Sequence, residues 1–287
     1  MLKKIIWLTF IFLLSAAFFL VYQKYSFSLK SVSFVLVPLV LVGTALIYFC
    51  KYKNIILPDA GFIKSDLNLP FLGEVPCVKK EGQNIFKLRE KTADLKSSFA
   101  KIKETTISLV EKKDPVVLGV ASVFPKEGKN FCAANLAVAF AEGKEDTLLI
   151  NANLRKQSLS VLGVKSNKGL SDFLLKKSSF EEAISSTGLD HFFFLSQGPV
   201  SSNPQELLKI KNFDNLIEAA KEKFKKIVIS LPPVLTCADA SLIGDKCDGL
   251  ILVFSAQKNH LNSLVKGKDI LNRNTKIIGA LLNKTPF

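Results

Sequence analysis

Gly128 and Lys129 lie near the end of the loop Val123-Phe124-Pro125-Lys126-Glu127-Gly128-Lys129-Asn130. A β-rich run, Val116 to Ser122, precedes the loop, and Ala133, Leu136, Ala137 and Phe140 continue it at helical spacing. Strand, Gly-Lys loop and helix together aim free backbone amides and one ammonium at a single point, which is what a phosphate group requires. Two positions depart from that pattern. Val123 stands where a small residue is usual, and Asn130 stands where a Ser or Thr hydroxyl would ligate Mg²⁺. Because Gly-Lys is a common pair, the loop alone is weak evidence, and the rest of the chain must supply specificity.

Other chemistries find little support. The five cysteines (Cys50, Cys77, Cys132, Cys237, Cys247) are scattered without a C-x-x-C pair, and there are only two histidines, so neither a disulfide framework nor a zinc site is indicated. Cys132, Cys237 and Cys247 read as small core residues, and His191 and His260, without a paired Cys or carboxylate, as structural ones. The formal charge of +14 raises nucleic acid as a partner, but the cations are 36 Lys and only Arg89, Arg155 and Arg273. Base-edge and phosphate-fork recognition favours Arg, so nucleic acid is excluded as the expected partner.

The elements that must position the loop are legible as short apolar runs: 116 to 122, 147 to 151, 191 to 196, 227 to 230, 249 to 254 and 277 to 282. Most are apolar on both alternations and are separated by helical lengths, the pattern of strands buried on both faces of a parallel sheet. The fold class expected is a doubly wound, mainly parallel α/β domain over residues 114–287. Ahead of it, residues 55–113 form a linker. Within that linker Leu69-Pro70-Phe71-Leu72-Gly73 and Val75-Pro76 suggest a docking segment or edge strand. Leu88, Thr92, Leu95, Phe99, Ile102, Thr106 and Leu109 make one helical stripe that faces either the domain or a second subunit.

Residues 1–54 have a different character. Runs of about 5–23 and 31–50 carry no charge, and each is long enough as a helix for a hydrocarbon layer of about 30 Å. Six lysines and no acid fall within residues 1 to 58. A two-helix transmembrane hairpin is the expectation, with a signal peptide as the lesser alternative because the apolar run continues past Ser15-Ala16-Ala17 and a second follows. Both termini and the α/β domain are then expected on the cytoplasmic side of a bacterial inner membrane.

The series Val120-Ala121-Ser122-Val123-Phe124-Pro125-Lys126-Glu127-Gly128-Lys129, Ala133-Ala134-Asn135-Leu136-Ala137 and Leu148-Leu149-Ile150-Asn151-Ala152-Asn153-Leu154-Arg155 resembles the cytoplasmic domain of bacterial tyrosine kinases (BY-kinases). Gly169-Leu170-Ser171-Asp172, Gly198-Pro199, Asn203-Pro204-Gln205-Glu206-Leu207-Leu208, Ile227 to Val234, Asp239-Ala240, Asp248-Gly249 and Leu282-Asn283-Lys284 follow in the family's order. The resemblance covers about residues 69 to 287. It implies a P-loop NTPase type of fold, ATP as substrate, a place among the polysaccharide co-polymerase systems of capsule and exopolysaccharide, and a two-helix membrane anchor.

It also implies residues that this chain lacks. The family places Asp at Asn151 and Asn153 and ends its Walker B strand in Asp where Ser230 stands. With Asn130, four positions that should hold or orient Mg²⁺ carry neither the carboxylate nor the hydroxyl expected of them, and amide or Ser oxygens are poor substitutes for this hard ion. Phosphoryl transfer depends on positioning and charge neutralisation, and losing one such contact costs on the order of a few kcal/mol in the transition state. The family's acceptor tyrosines form a C-terminal tail, whereas Tyr22, Tyr25, Tyr48 and Tyr52 all lie in or beside the apolar runs. Ser97 and Ala100 stand where the family's oligomerisation arginines are expected.

The expected function is therefore a membrane-tethered pseudokinase with a regulatory or assembly role and no intact catalytic set. Pro125, Lys126, Glu127, Gly128, Lys129, Asn130 and Arg155 remain to cradle ATP or ADP, weakly and without a well-formed Mg²⁺ site; no metal is expected. Expected partners are polysaccharide export or polymerisation membrane proteins or a co-polymerase subunit, further copies of the chain, and the bilayer. One alternative is a working kinase or ATPase that borrows Glu127, Asp239 or Asp248. Another is a positioning ATPase of the MinD or ParA type, which would carry a lysine where this chain has Phe124.

Overall fold

A computed structural model describes residues 43–44, 55–56, 58–78, 84–110, 114–155, 162–164, 168–200, 203–209, 212–237, 239–257, 259–272 and 275–286. The chain divides into two compact units, residues 1–54 and 55–287. Apart from Gly43 and Thr44, the expected membrane hairpin lies outside the described residues. Among the described residues no helix is long and apolar enough to cross a membrane.

The second unit begins with β1 (Ile55–Ile56), α1 (Ala60–Ser65), β2 (Phe71–Pro76), α2 (Ile85–Lys91), α3 (Ala93–Leu109), β3 (Val116–Ser122), α4 (Lys129–Glu142) and β4 (Thr147–Asn151). It continues with α5 (Leu170–Leu174), α6 (Phe180–Ala183), β5 (Ile184–Ser186), β6 (Phe192–Leu195), α7 (Pro204–Lys209), α8 (Asn212–Lys223) and β7 (Lys226–Ser230). The last elements are α9 (Asp239–Gly244), β8 (Gly249–Ser255), β9 (Asn259–His260), α10 (Leu261–Leu271) and β10 (Ile277–Thr285).

Eight strands form one sheet in the order β2-β10-β8-β3-β7-β4-β6-β5, and β1 pairs with β9 apart from it. Every pair in the large sheet is parallel except β5 with β6 at one edge. The alternation of side chains across a strand divides the core in two. Val117 and Ala121 of β3, Leu148 and Ile150 of β4, and Leu250, Leu252 and Phe254 of β8 enter one cluster. Their neighbours Val116, Leu118, Val120, Leu149, Ile251 and Val253 enter the other. Both faces are therefore covered, which is why these runs are apolar at successive positions rather than alternate ones. Truncating a fully buried residue here, for example Leu252→Ala, costs about 2–5 kcal/mol.

Five of the six expected strands are present within a residue of their sequence limits, and the sixth, β10, runs three residues further, to Thr285. The segment around Phe71 to Pro76 is the edge strand β2, in register with Ala280 to Thr285 of β10. The stripe from Leu88 to Leu109 is carried by two helices, interrupted at Thr92, whose φ of −130° and ψ of 90° are not helical. Thr92 is a β-branched residue of low helix propensity, which suits it to the break. Leu88, Leu95, Phe99, Ile102 and Thr106 are buried, and the apolar ones pack in the cluster that contains α4. The stripe is thus spent inside its own unit. Arg89 of α2 fixes this packing, donating to Asn135 Oδ1 at 3.2 Å and to Glu142 Oε2 at 2.7 Å on α4.

Candidate phosphate site

Strand β3 delivers the chain to the loop and α4 leaves it. Ser122 Oγ donates to the carbonyl of Phe124 at 2.8 Å, turning the chain at the strand's end. Lys126 (φ 68°) and Gly128 (φ 92°) then take left-handed conformations. At Gly128 the requirement for glycine is double, because a Cβ there would fall 1.9 Å from Asn283 Nδ2. That amide donates to the carbonyl of Glu127 at 2.9 Å, and Lys284 Nζ donates to the carbonyl of Lys126 at 3.0 Å. Strand β10 therefore engages two loop carbonyls as acceptors. Among the described residues no protein acceptor lies on the amides of Lys126 to Asn130, and these open donors sit at the positive end of the 14-residue helix α4.

Val123 does not occupy the phosphate space. Its side chain is buried against Gly267 of α10, where a Cβ would lie 2.6 Å from Val123 Cγ2. The glycine in α10 makes room for the larger residue at the loop's first position. Pro125 and Lys126 are exposed, so neither fills the cradle. Glu127 is turned into the floor of the loop. Its Oε2 accepts the Phe124 amide at 2.7 Å, while Oε1 is buried without a well-formed hydrogen bond. Burial pushes the Glu127 carboxyl up to about 7, against the amides of Phe124, Ser255 and Val123 and the Lys129 charge, which favour ionisation.

Lys129 is buried, and its Nζ donates to Asn130 Oδ1 at 3.0 Å. Burial lowers its pKa to about 8, partly offset by Cys237 and Glu127. Asn130 Oδ1 also accepts the Ser230 hydroxyl at 2.7 Å, across from the end of β7. An ammonium has no acceptor, so the atom it meets on Asn130 is the carbonyl oxygen, and the amide NH₂ is turned elsewhere. Asn151, at the end of β4, donates to Gln197 Oε1 and accepts the Asn153 amide at 3.3 Å. Asn153 accepts the Arg155 amide at 3.4 Å. Asn151, Asn153 and Ser230 thus lie at or just beyond the carboxyl ends of β4 and β7, and Asn130 at the start of the helix that follows the neighbouring β3, on the side where open α/β sheets bind ligands.

Arg155 is engaged by Asp239, with Nε to Oδ2 at 2.8 Å and an Nη2 to Oδ1 contact at 3.1 Å. Asp239 is almost fully buried while the arginine side chain stays 41% exposed, and the fork keeps the guanidinium protonated. Cys237 reaches Arg155 and the neighbourhood of Lys129. It is half-buried and polar in its contacts, which corrects the expectation of a core thiol; Cys132 and Cys247 are buried as expected. Asp248 lies at the other end of the sheet, accepting the Val117 amide at 2.8 Å. So does His191, whose Nδ1 meets Asp146 Oδ1 at 2.7 Å, a carboxylate partner that the sequence had not revealed.

Gln197, Cys237 and Asn283 are site residues missed as functional candidates. Asn283 alone had a signal, its place in the terminal Leu-Asn-Lys motif. Two surface cavities of about 480 and 540 Å³ lie elsewhere, one around Phe173 and Lys177, the other around Leu261 and Ile270. The residues of the phosphate cradle line neither of them. No group of His, Cys, Asp or Glu able to hold a metal occurs among the described residues.

No family model matches the chain. It is 37% identical over 166 residues to the tyrosine-protein kinase YwqD of Bacillus subtilis, covering 57% of this chain and 70% of that one. It is 35% identical over 173 residues to the tyrosine-protein kinase CpsD of Streptococcus pneumoniae, covering 58% and 75%. Among solved structures, that of the chimerical protein CapA2B2 superimposes with a TM-score of 0.73 at 28% identity, covering 80% of this chain and 100% of the other. Parallel strand order, loop and flanking motifs agree with these likenesses, and the chain belongs to the bacterial tyrosine-protein kinase family.

Proposed function

We propose that this protein is a membrane-anchored member of the family whose phosphoryl transfer is impaired, and that it serves as a regulatory or assembly subunit in capsule or exopolysaccharide biosynthesis. The observation that carries the reading is the double hydrogen bond on Asn130 Oδ1, from Lys129 Nζ and Ser230 Oγ. Asn130 and Ser230 stand where the resemblance expects a metal-ligating hydroxyl and carboxylate, and here they bond each other instead. Asn151 and Asn153 complete a neutral set. Mg²⁺ is held by carboxylates, phosphates and water, so this donor set does not fit it. Without that charge, a transferring phosphoryl group lacks its main stabiliser.

The three candidate substitute acids are otherwise engaged. Glu127 forms the loop's floor, Asp239 is forked by Arg155, and Asp248 sits at the far end of β3. A positioning ATPase is disfavoured by Phe124, which packs against the core where such proteins carry lysine. What the chain's own residues do support is anion binding: open amides hold phosphate oxygens, Lys129 supplies charge, and side chains of β10 occupy two of the loop carbonyls.

The membrane anchor rests on the two charge-free runs and the lysines flanking them. It places the α/β unit at the cytoplasmic face of a bacterial inner membrane, next to polymerisation or export proteins. A co-polymerase subunit is the partner that the resemblance implies. The test is phosphate release and phosphoprotein formation from labelled ATP with Mg²⁺, using the full chain and Lys129→Ala. The two proteins should be indistinguishable; Mg²⁺-dependent turnover lost in Lys129→Ala refutes the reading.

A further inference from the structure

Asn130 presents more than a missing hydroxyl. With its oxygen tied by Lys129 Nζ at 3.0 Å and Ser230 Oγ at 2.7 Å, its remaining polar group is the NH₂, a donor. At the place where the family's metal ligand stands, this chain therefore ties up the side-chain oxygen with two donors, and the polar group that remains is one that attracts phosphate oxygens and repels a cation. The same inversion runs through the groove. Asn151, Asn153 and Ser230 bring no negative charge, and the oxygens of both asparagines accept backbone amides.

The cations remain. Lys129 is 8% exposed, and its hydrogen bond to Asn130 leaves the buried charge unneutralised by direct contact with an acid. A buried ammonium without an ion-pair partner is costly unless an anion joins it. Glu127 Oε1, likewise buried without a good hydrogen bond, shows that the loop's own acid is not that partner. The open amides of Lys126 to Asn130 complete an anion cradle.

Resting on the impaired-kinase reading, we propose that this site binds nucleoside diphosphate as the bare anion, and that Mg²⁺ weakens rather than supports the binding. The protein offers the β-phosphate amides and ammonium and offers the metal nothing. Mg²⁺ competes by holding the diphosphate in solution and by lowering its charge, on which this pocket depends.

The test is calorimetric titration of ADP into the full chain in detergent micelles, once with EDTA and once with excess Mg²⁺. Binding with EDTA, weakened about tenfold or more by Mg²⁺ and absent in Lys129→Ala of unchanged circular dichroism, is expected. The triple variant Asn130→Thr, Asn151→Asp, Ser230→Asp should reverse the preference and bind ADP better with Mg²⁺. No ADP binding under either condition overturns this inference and leaves the impaired-kinase reading standing. Binding by the unaltered chain that requires Mg²⁺ overturns both. Equal binding under both conditions overturns the bare-anion preference alone.

Discussion

Substituting Glu127 by Gln tests the electrostatics of the phosphate loop. The carboxyl titrates near 7 in the folded protein against 4.5 as its ordinary value. Between those values the folded state holds a proton that the unfolded chain has released, so stability falls as pH rises through this window. The shift converts to about 3 kcal/mol of lost stability from pH 4.5 to above 7, at about 1.4 kcal/mol per unit. Glutamine keeps an oxygen for the Phe124 amide and cannot ionise, so this slope should vanish whatever the substitution does to absolute stability. The assay is urea unfolding of the full chain in detergent, without nucleotide, at pH 5 and pH 7.5. It should be followed by circular dichroism, because the only tryptophan, Trp7, lies outside the α/β unit. Wild type minus variant should change by about 2 kcal/mol between the two pH values, since part of the shift lies outside that window; an unchanged difference would show that Glu127 is ionised and solvated, and would refute the buried-floor description.

Further expectations follow from neighbouring contacts. Lys129→Met should abolish an opposite slope, since a lysine lowered to about 8 costs stability below that pH and ceases to as pH rises toward 10.5; pH-dependent unfolding checks it. Gly267→Ala should cost about 1–3 kcal/mol by driving a methyl into Val123, and Val123→Ala in the same chain should recover most of it, a coupling that a double-mutant cycle in unfolding free energy measures. Gly128→Ala combines a left-handed φ with a clash on Asn283, so a loss of at least about 2 kcal/mol and of the ADP heat is expected. Asp239→Asn should cost only about 1 kcal/mol, because the Arg155 side chain is 41% exposed and water replaces part of the pair; thermal unfolding reads this.

The sheet was legible because its physics is local. Runs such as Val116 to Ser122 and Gly249 to Phe254 are apolar at successive positions, short and rich in β-branched residues, the pattern of a strand covered on both faces. The two-residue strands at Ile55 and Asn259, and the antiparallel edge at Ile184 to Ser186, carry no such periodicity and were not anticipated. The break at Thr92 was hidden because the apolar stripe continues through it on both sides. In the site, Gly128 and Lys129 announce themselves by type and spacing, and the family's order marks Asn130, Asn151, Asn153 and Ser230. Their bonds to one another are a different matter. Asn130 and Ser230 are 100 positions apart, and Arg155 and Asp239 are 84 apart, so only the fold reveals that the surviving arginine is already held and the nominated acid already used.

The central claim is that the groove has exchanged a metal site for an anion site. Electron paramagnetic resonance of Mn²⁺, a spectroscopic substitute for Mg²⁺, tests this most directly when the ion is titrated into the full chain with ADP present. The signal should match Mn²⁺ and ADP in buffer alone, with no protein-dependent ternary complex, and such a complex should form in the triple variant Asn130→Thr, Asn151→Asp, Ser230→Asp. A stoichiometric protein–Mn²⁺–ADP complex in the unaltered chain would contradict the account.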